Sequence, residues 1–525
     1  MRLDKLSIPN YRNLRNFKID FDESQPITVL LGRNGTGKSN LIEAVVQIFS
    51  DLERDEPPSF AYVLDYVCRG RKVHVDADPA RHSKRYDITV DGVSVSYAIF
   101  QGKLDSYLPS YVFAYYSGWS PRLERRFDAT TRDYYYEVLE RKDYTLPLRR
   151  LFFCRKDYSQ LVLLAFFLDK SEAASDLLKK YLGIEKFEST LFVFKKPWWG
   201  DSGVQRKKAA GDGDPNFWYA RGAFRGFLKR MWAKALAPIH SDEKVERDIR
   251  RSGENTERLY VFIKNQKELE ALKEKGELTK TVFGYLESLF LCDLVDEVRV
   301  NVVKTDGTRV KFTQLSEGEQ QLLTVIGLLL FTQDDESLYL LDEPDTHLNP
   351  VWTYDYLSLL HDNIRSAQGQ LIVATHNPLM IGSLRKNQVR SLSWSGEKLI
   401  AAEPSIDPIG IGIEGLLKSE LYGLPSTLGP EVVQKLDRHF LLLGKKDKTE
   451  VERAEIMKLA RELNALGVAR THPNPYFEKF AQALARRQPI PETLTLSKQY
   501  LESQTKLADE LLEEVITEER HSKDE

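Results

Sequence analysis

Asp342 and Glu343 stand side by side directly after four apolar residues, Leu338 to Leu341. The apolar run reads as a buried strand that delivers both carboxylates to its tip. Burying charge without a partner is costly, so two adjacent acids make a poor structural choice there. They make a good chemical one: Asp342 can hold a magnesium ion or its water shell while Glu343 polarises an attacking water. Alone, such a pair is more often an ordinary strand end. Far upstream, Gly32-Arg33-Asn34-Gly35-Thr36-Gly37-Lys38-Ser39 matches a phosphate-cradling loop at every required position. It follows the apolar run Ile27-Thr28-Val29-Leu30-Leu31 and precedes the apolar-periodic Leu41-Ile42-Glu43-Ala44-Val45-Val46, the strand–loop–helix setting such a loop needs. Gly32, Gly35 and Gly37 allow close approach of backbone N–H groups to phosphate oxygens and the unusual φ angles this requires. The N-terminus of the following helix adds its partial positive charge. Lys38 reaches the β- and γ-phosphates and Ser39 offers a hydroxyl to Mg²⁺. Asn34 and Asn40, beside these residues, join the expected nucleotide contacts.

Two further segments complete the set. Leu315-Ser316-Glu317-Gly318-Glu319-Gln320-Gln321 precedes the acidic pair, and Ala374-Thr375-His376-Asn377 follows it after Leu371-Ile372-Val373. His376 alone would be an unremarkable polar residue. The four segments in this order support one another and imply binding of a nucleoside triphosphate.

Together, the phosphate loop, Leu315–Gln321, Asp342–Glu343 and His376 resemble an ABC-class ATPase rather than a kinase or GTPase. The opening Leu6-Ser7-Ile8-Pro9-Asn10-Tyr11-Arg12-Asn13-Leu14 and the stretch Asp342-Glu343-Pro344-Asp345-Thr346-His347-Leu348-Asn349-Pro350 resemble the SMC, RecF and OLD branch. More narrowly, Tyr115-Tyr116-Ser117-Gly118 and Leu417-Lys418-Ser419-Glu420-Leu421-Tyr422-Gly423-Leu424-Pro425-Ser426-Thr427 look like the PtuA ATPases of Septu-type anti-phage defence systems. The branch-level likeness covers roughly residues 1–120 and 290–400.

The resemblance implies an α/β fold, an ABC-type P-loop ATPase head split into two lobes, using ATP and Mg²⁺. Glu343 would orient or deprotonate the water, and His376 would contact the γ-phosphate and the opposite subunit. Arg12, Ser316, Gly318 and Glu319 would touch nucleotide, with Ser316 and Gly318 reaching the γ-phosphate bound to a second copy. A homodimer or a multiple of dimers follows, and the narrower likeness implies a separate HNH-type nuclease subunit as partner. Two departures stand out. Glu317 and Glu319 depart from the Leu-Ser-Gly-Gly-Gln of transporter subunits, and no clear glutamine follows a strand in the Q-loop manner; Tyr111–Gly118 is its nearest counterpart. OLD proteins carry a Toprim module, yet after His376 there is no Asp-x-Asp pair and no HNH or PD-(D/E)xK-like constellation, so no nuclease site of its own is expected.

Composition sets the bounds. The 525 residues suffice for two or three domains, with 42% hydrophobic and 29% charged residues, ordinary for a soluble globular chain. The longest apolar stretch, Leu161–Leu168, is far too short to span a bilayer. Met1-Arg2-Leu3-Asp4-Lys5 lacks the apolar core of a signal peptide, so a cytoplasmic location is expected. Cys68, Cys154 and Cys292 form no CxxC pair, which removes a zinc hook and a disulfide framework. A net charge of −3 does not announce nucleic acid, so any DNA contact must come from a local patch.

The chain divides into an N-terminal ATPase lobe (1–120), a mixed and mainly helical insert (121–290) without sustained heptads, a second ATPase lobe (291–400) and a helical C-terminal region (401–525). Leu507, Leu511, Leu512, Val515 and Ile516 mark an apolar stripe in a last acidic helix. Residues 51–120 read as β-rich with a hairpin. Within the insert, Lys195, Lys196, Arg206, Lys207, Lys208, Arg221, Arg225, Lys229, Arg230 and Lys234 lie among Trp198, Trp199, Phe217, Trp218, Phe224, Phe227 and Trp232. Such a mix can neutralise phosphates and stack on bases, but an aromatic core with a solvated basic face is the plainer reading, and a protein-binding surface is another. Arg122, Arg125 and Arg126 are likewise solvated in the plain reading and nucleotide sensors in the sharper one. A regulatory ATPase of a defence complex, a RecF-type repair ATPase that binds DNA without a nuclease, and a transporter subunit all remain as classes. The Asn10-Tyr11-Arg12 opening and the long insert speak against the last.

Overall fold

The computed structural model describes residues 1–140, 148–155, 157–169, 171–197, 213–245, 254–332, 336–364, 369–445, 447–466 and 510. Seven strands form the central sheet, in spatial order Lys398–Ala402, Val389–Ser395, Ile27–Gly32, Gln370–Thr375, Ser337–Asp342, Tyr111–Tyr116 and Leu151–Phe153. Ser337–Asp342 runs parallel to both of its neighbours. It and Gln370–Thr375 are buried along their whole length. Continuous apolar runs are what a parallel sheet covered on both faces demands. The register pairs Asp342 with Ala374 on one side and Tyr116 on the other, so the residues that follow each strand emerge together at the carboxyl edge. Helix Lys38–Glu53 follows Ile27–Gly32 through the phosphate loop, and helix Pro350–Ile364 links the two acid-side strands.

A second, antiparallel sheet is built from Leu14–Asp20, Arg2–Tyr11, Tyr62–Cys68, Arg71–Ala77, Tyr86–Val90 and Val93–Val95. Tyr62–Cys68 alternates buried and half-buried positions, the period-2 signature of a sheet with one packed face. Its Leu64 and Tyr66 share a core with Leu41, Val45, Ile48 and Phe49 of the helix after the phosphate loop. The β-rich reading of 51–120 and its hairpin hold.

The stretch 121–290 differs from expectation. Besides helices it holds the strand Leu151–Phe153 of the central sheet and three strands, Ile184–Lys195, Ile239–Val245 and Glu254–Ile263, of a five-stranded antiparallel sheet completed by Val295–Lys304 and Arg309–Lys311. Sheet content is therefore higher than a mainly helical reading implies, and Val295–Lys304 pairs with the insert rather than with the central sheet. The apolar Leu161–Leu168 lies in helix Tyr158–Leu168, buried on all sides. It packs on helix Glu317–Thr332, where a side chain at Gly327 would lie 2.2 Å from Val162 Cγ1. No helix among the described residues is long and apolar enough to cross a membrane.

Three basic residues of the basic-aromatic part of the insert are paired with acids. Lys195 pairs with Asp293 at 2.6 Å, Lys196 with Glu257 at 2.8 Å, and Arg230 with Glu274 and Glu277. Phe217, Phe224 and Phe227 are core residues. That is the aromatic-core reading; Trp198, Trp199, Arg206, Lys207 and Lys208 lie outside the described residues.

A second compact unit takes Leu31–Arg33, Asn377–Ser391 and Ala402–Glu525. Its helices Pro430–Gly444 and Glu450–Ala465 pack together, tied by Arg438–Glu455 at 2.8 Å and Lys435–Glu462 at 3.0 Å. The stripe at Leu507, Leu511, Leu512, Val515 and Ile516 lies outside the described residues.

Beneath the central sheet, Arg149 and Glu287 form an ion pair at 2.7 Å with side chains 5% and 0% exposed. Tyr158 donates its hydroxyl to the same carboxylate at 3.1 Å. Removing one partner strands the other charge in the core, so Glu287→Ala should cost about 3–5 kcal/mol. A joint Arg149→Met/Glu287→Leu change should recover most of that. Urea melts of the two variants check this; equal losses would contradict it.

Candidate active site

Lys38, Ser39, Asp342, Glu343 and His376 meet at the carboxyl edge of the central sheet. The phosphate loop turns through Gly35 and Gly37, both in the left-handed region at φ 85° and 91°. A side chain at Gly37 would also come within 2.8 Å of Asn13 Oδ1, which makes glycine necessary there on two counts. Asn13 donates to the Gly35 carbonyl at 3.0 Å and accepts from Asn40 at 2.6 Å. It clamps the loop from the turn between strands Arg2–Tyr11 and Leu14–Asp20, a role that its place in the Asn10–Leu14 string hinted at but did not specify. Arg12 donates to Asn40 at 3.2 Å and pairs with Glu43 at 2.7 Å. Arg122 and Arg126 converge on the same carboxylate, which is 1% exposed. Glu43 looked like one polar position in an apolar helix; it is the hub of an arginine cluster one turn beyond Ser39.

Lys38 is 7% exposed, and burial lowers its pKa against the pull of Glu343 and Asp342. Its Nζ lies 3.9 Å from Glu343 Oε1. The other Glu343 oxygen meets His376 Nδ1 at 2.7 Å, so the carboxylate sits between a lysine and an imidazole. Burial raises the Glu343 pKa, with His376 and Lys38 opposing. A carboxylate so placed can accept a proton from a water, and an imidazole beside it can donate to a phosphoryl oxygen.

Asp342 is 2% exposed; burial pushes its carboxyl up to about 6, with the Ser39 hydroxyl opposing. Its Oδ1 is buried without a hydrogen-bond partner. An orphaned buried carboxylate oxygen beside a loop serine is a donor set suited to Mg²⁺. Ser39 and Asp342 would hold the ion, which when bound neutralises charge on the phosphates.

Ser316 and Glu319 form a reciprocal cap at the start of helix Glu317–Thr332: the Ser316 N–H donates to Glu319 at 2.7 Å, and Ser316 Oγ accepts from the Glu319 N–H at 3.2 Å. Glu319 also pairs with Lys304 at 2.9 Å. Gly318 lies so close to the His347 carbonyl that a side chain would come within 2.5 Å, and Gln321 donates to the Pro344 carbonyl. This segment therefore packs against the loop after Glu343. Ser117, quoted in the Tyr115–Gly118 string without a role, donates to the Glu343 carbonyl at 2.6 Å.

Two family profiles match the chain, one described as "AAA ATPase domain" over residues 1–91 and one as "AAA domain, putative AbiEii toxin, Type IV TA system" over residues 174–382. A Septu protein PtuA of Bacillus mycoides is 29% identical over 191 residues, 34% of this chain and 26% of that protein. A "Retron Vc95 probable ATPase" of Vibrio cholerae is 21% identical across 78% of this chain and 77% of its own length. A RecF protein of Lactobacillus acidophilus is 42% identical over 45 residues, 9% of this chain and 12% of that protein. The matched region thus spans about a quarter of that PtuA protein's length. Among solved structures, an SMC head domain from Thermotoga maritima overlays on 77% of this chain and 100% of its own at 14% identity, with a TM-score of 0.33.

The raised Asp342 pKa has a signed consequence. The folded chain keeps this proton between about pH 4 and 6 while the unfolded chain has lost it. Stability is thus present below the unfolded pKa and falls by about 3 kcal/mol as pH rises through that window. Asp342→Asn should therefore stabilise the nucleotide-free protein at pH 7.5 far more than at pH 4.5, while removing the Mg²⁺ dependence of nucleotide binding. Thermal melts at the two pH values test it, and equal shifts would refute it.

Proposed function

We propose that this chain is an ATPase similar to the Septu PtuA and RecF proteins, and that it binds and slowly hydrolyses ATP at composite sites between paired copies. The observation that carries this reading is the alignment of Lys38, Ser39, Asp342, Glu343 and His376 on one sheet edge, with Glu343 held between a lysine and an imidazole. Glu343 takes the proton from the attacking water, His376 contacts the γ-phosphate, and Lys38 neutralises the β- and γ-oxygens. Asn34, Gly35, Gly37 and Asn40 contribute backbone and side-chain contacts around the phosphates, and Arg12 anchors Asn40 from behind. Ser316 and Gly318 of one copy close over the phosphate loop of the other. Glu319 caps the helix that presents them.

In the cell, this ATPase assembles and restrains a separate nuclease, of HNH type, in anti-phage defence. The PtuA and retron relatives support the defence setting. A second reading, a DNA-binding repair ATPase without a nuclease partner, draws on the short RecF match. Co-purification with the neighbouring gene product, with and without ATP, separates the two.

Lys38→Ala should abolish tight ATP binding in a titration with a fluorescent ATP analogue; unchanged affinity would remove Lys38 from the site. The shared site has its own test. Chains carrying Lys38→Ala and Ser316→Arg, each inactive alone, should regain turnover when mixed, through one intact site per mixed dimer. A mixture that forms heterodimers yet stays inactive would refute pairing in trans.

A further inference from the structure

We propose that Ser117 is a positioning residue for Glu343, an assignment that rests on the catalytic reading above. Glu343 is a non-glycine residue in the left-handed region, at φ 51°. That backbone is strained for a residue with a side chain and persists only where its surroundings over-determine it. Three hydrogen bonds do so. The Glu343 N–H donates to the Ala374 carbonyl at 2.8 Å, which ties it to the strand on one side. Its carbonyl accepts from Ser117 Oγ at 2.6 Å and from Thr346 Oγ1 at 2.9 Å, and the two hydroxyls lie 2.8 Å apart. Ser117 continues the strand on the opposite side, where Tyr116 pairs with Asp342. The residue is thus held from both flanking strands at the place where its side chain must leave the sheet toward Lys38 and His376.

The Ser117 backbone N–H also reaches the Asp342 carbonyl at 3.4 Å, which continues the ladder beyond Tyr116. The Tyr116 ring folds over Gly118, where a side chain would lie 2.1 Å from it and would have to push the ring aside. Ser117 is 5% exposed, which keeps water from competing for the Glu343 carbonyl. Thr346 lies within the turn that follows Glu343 and moves with it, whereas Ser117 belongs to a different strand. Ser117 is therefore the side-chain anchor that references the Glu343 carbonyl to the fixed sheet, opposite the Ala374 carbonyl that holds its N–H. Without it the left-handed turn can relax, and displacing a base by about 1 Å can cost on the order of 10²-fold in rate.

Ser117→Ala should lower kcat about 10- to 100-fold with ATP affinity within about twofold of wild type. Ser117→Thr, which keeps the hydroxyl, should recover most of the rate. The decisive reading is a double-mutant cycle with Glu343→Gln in single-turnover assays. With the base already removed, Ser117→Ala should cost less than about twofold more. An equal loss in both backgrounds, or parallel loss of affinity, would make Ser117 merely structural and overturn the proposal. If Ser117→Ala turns over like wild type while Glu343→Gln is inactive, the Ser117 assignment alone falls. If Glu343→Gln itself turns over like wild type, the catalytic reading and this one fall together.

Discussion

The structure depends on bringing negative charge to the carboxyl end of a buried strand and keeping it ionised. Asp342 is almost wholly inside, and Glu343 is only partly exposed beside it. Lost hydration raises both pKa values, and the neighbouring charge adds to the rise, Glu343 acting on Asp342 and Asp345 on Glu343. The surrounding groups answer that cost. Lys38 supplies a positive charge from the phosphate loop, His376 a polar partner from the adjacent strand, and Ser39 a hydroxyl. One Asp342 oxygen is still left without a hydrogen bond. The arrangement is destabilising on its own and favourable for Mg²⁺ with a triphosphate, so local cost and chemical use coincide.

This constraint also explains the parallel sheet. Only parallel neighbours bring the ends of Tyr111–Tyr116, Ser337–Asp342 and Gln370–Thr375 to the same edge. Ligand sites in open α/β sheets lie at such carboxyl ends. Thr375 Oγ1 donates to Asp345 at 3.0 Å, and Gln321 reaches the Pro344 carbonyl, so the loop after Glu343 is tied both to the sheet and to the Ser316 helix.

What the sequence discloses follows from how local each signal is. The phosphate loop, the strand ending in Asp342 and the strand before His376 are contiguous patterns, legible because a parallel sheet needs unbroken apolar runs. Ser316 and Glu319 were legible as a signature segment, yet the same Ser-x-x-Glu spacing is a helix cap, and the cap is what the geometry displays. The insert's sheet was hidden because the strand Ile184–Lys195 shifts register three times against Val295–Lys304, which breaks the alternation that marks a strand. Glu43 read only as a polar position in an apolar helix, and Ser117 only as part of the Tyr115–Gly118 string, with no role attached to either. Their roles come from arginines and a carbonyl supplied by distant segments, and no spacing within the chain encodes that.

The most direct test is a crystal structure with Mg²⁺ and a non-hydrolysable ATP analogue. The γ-phosphate should lie between Lys38 Nζ and the Glu343–His376 pair, with the metal on Ser39 and on the Asp342 oxygen that now lacks a partner. An analogue bound elsewhere, or one that leaves Lys38 on Glu343 and Asp342 without metal, would contradict the account.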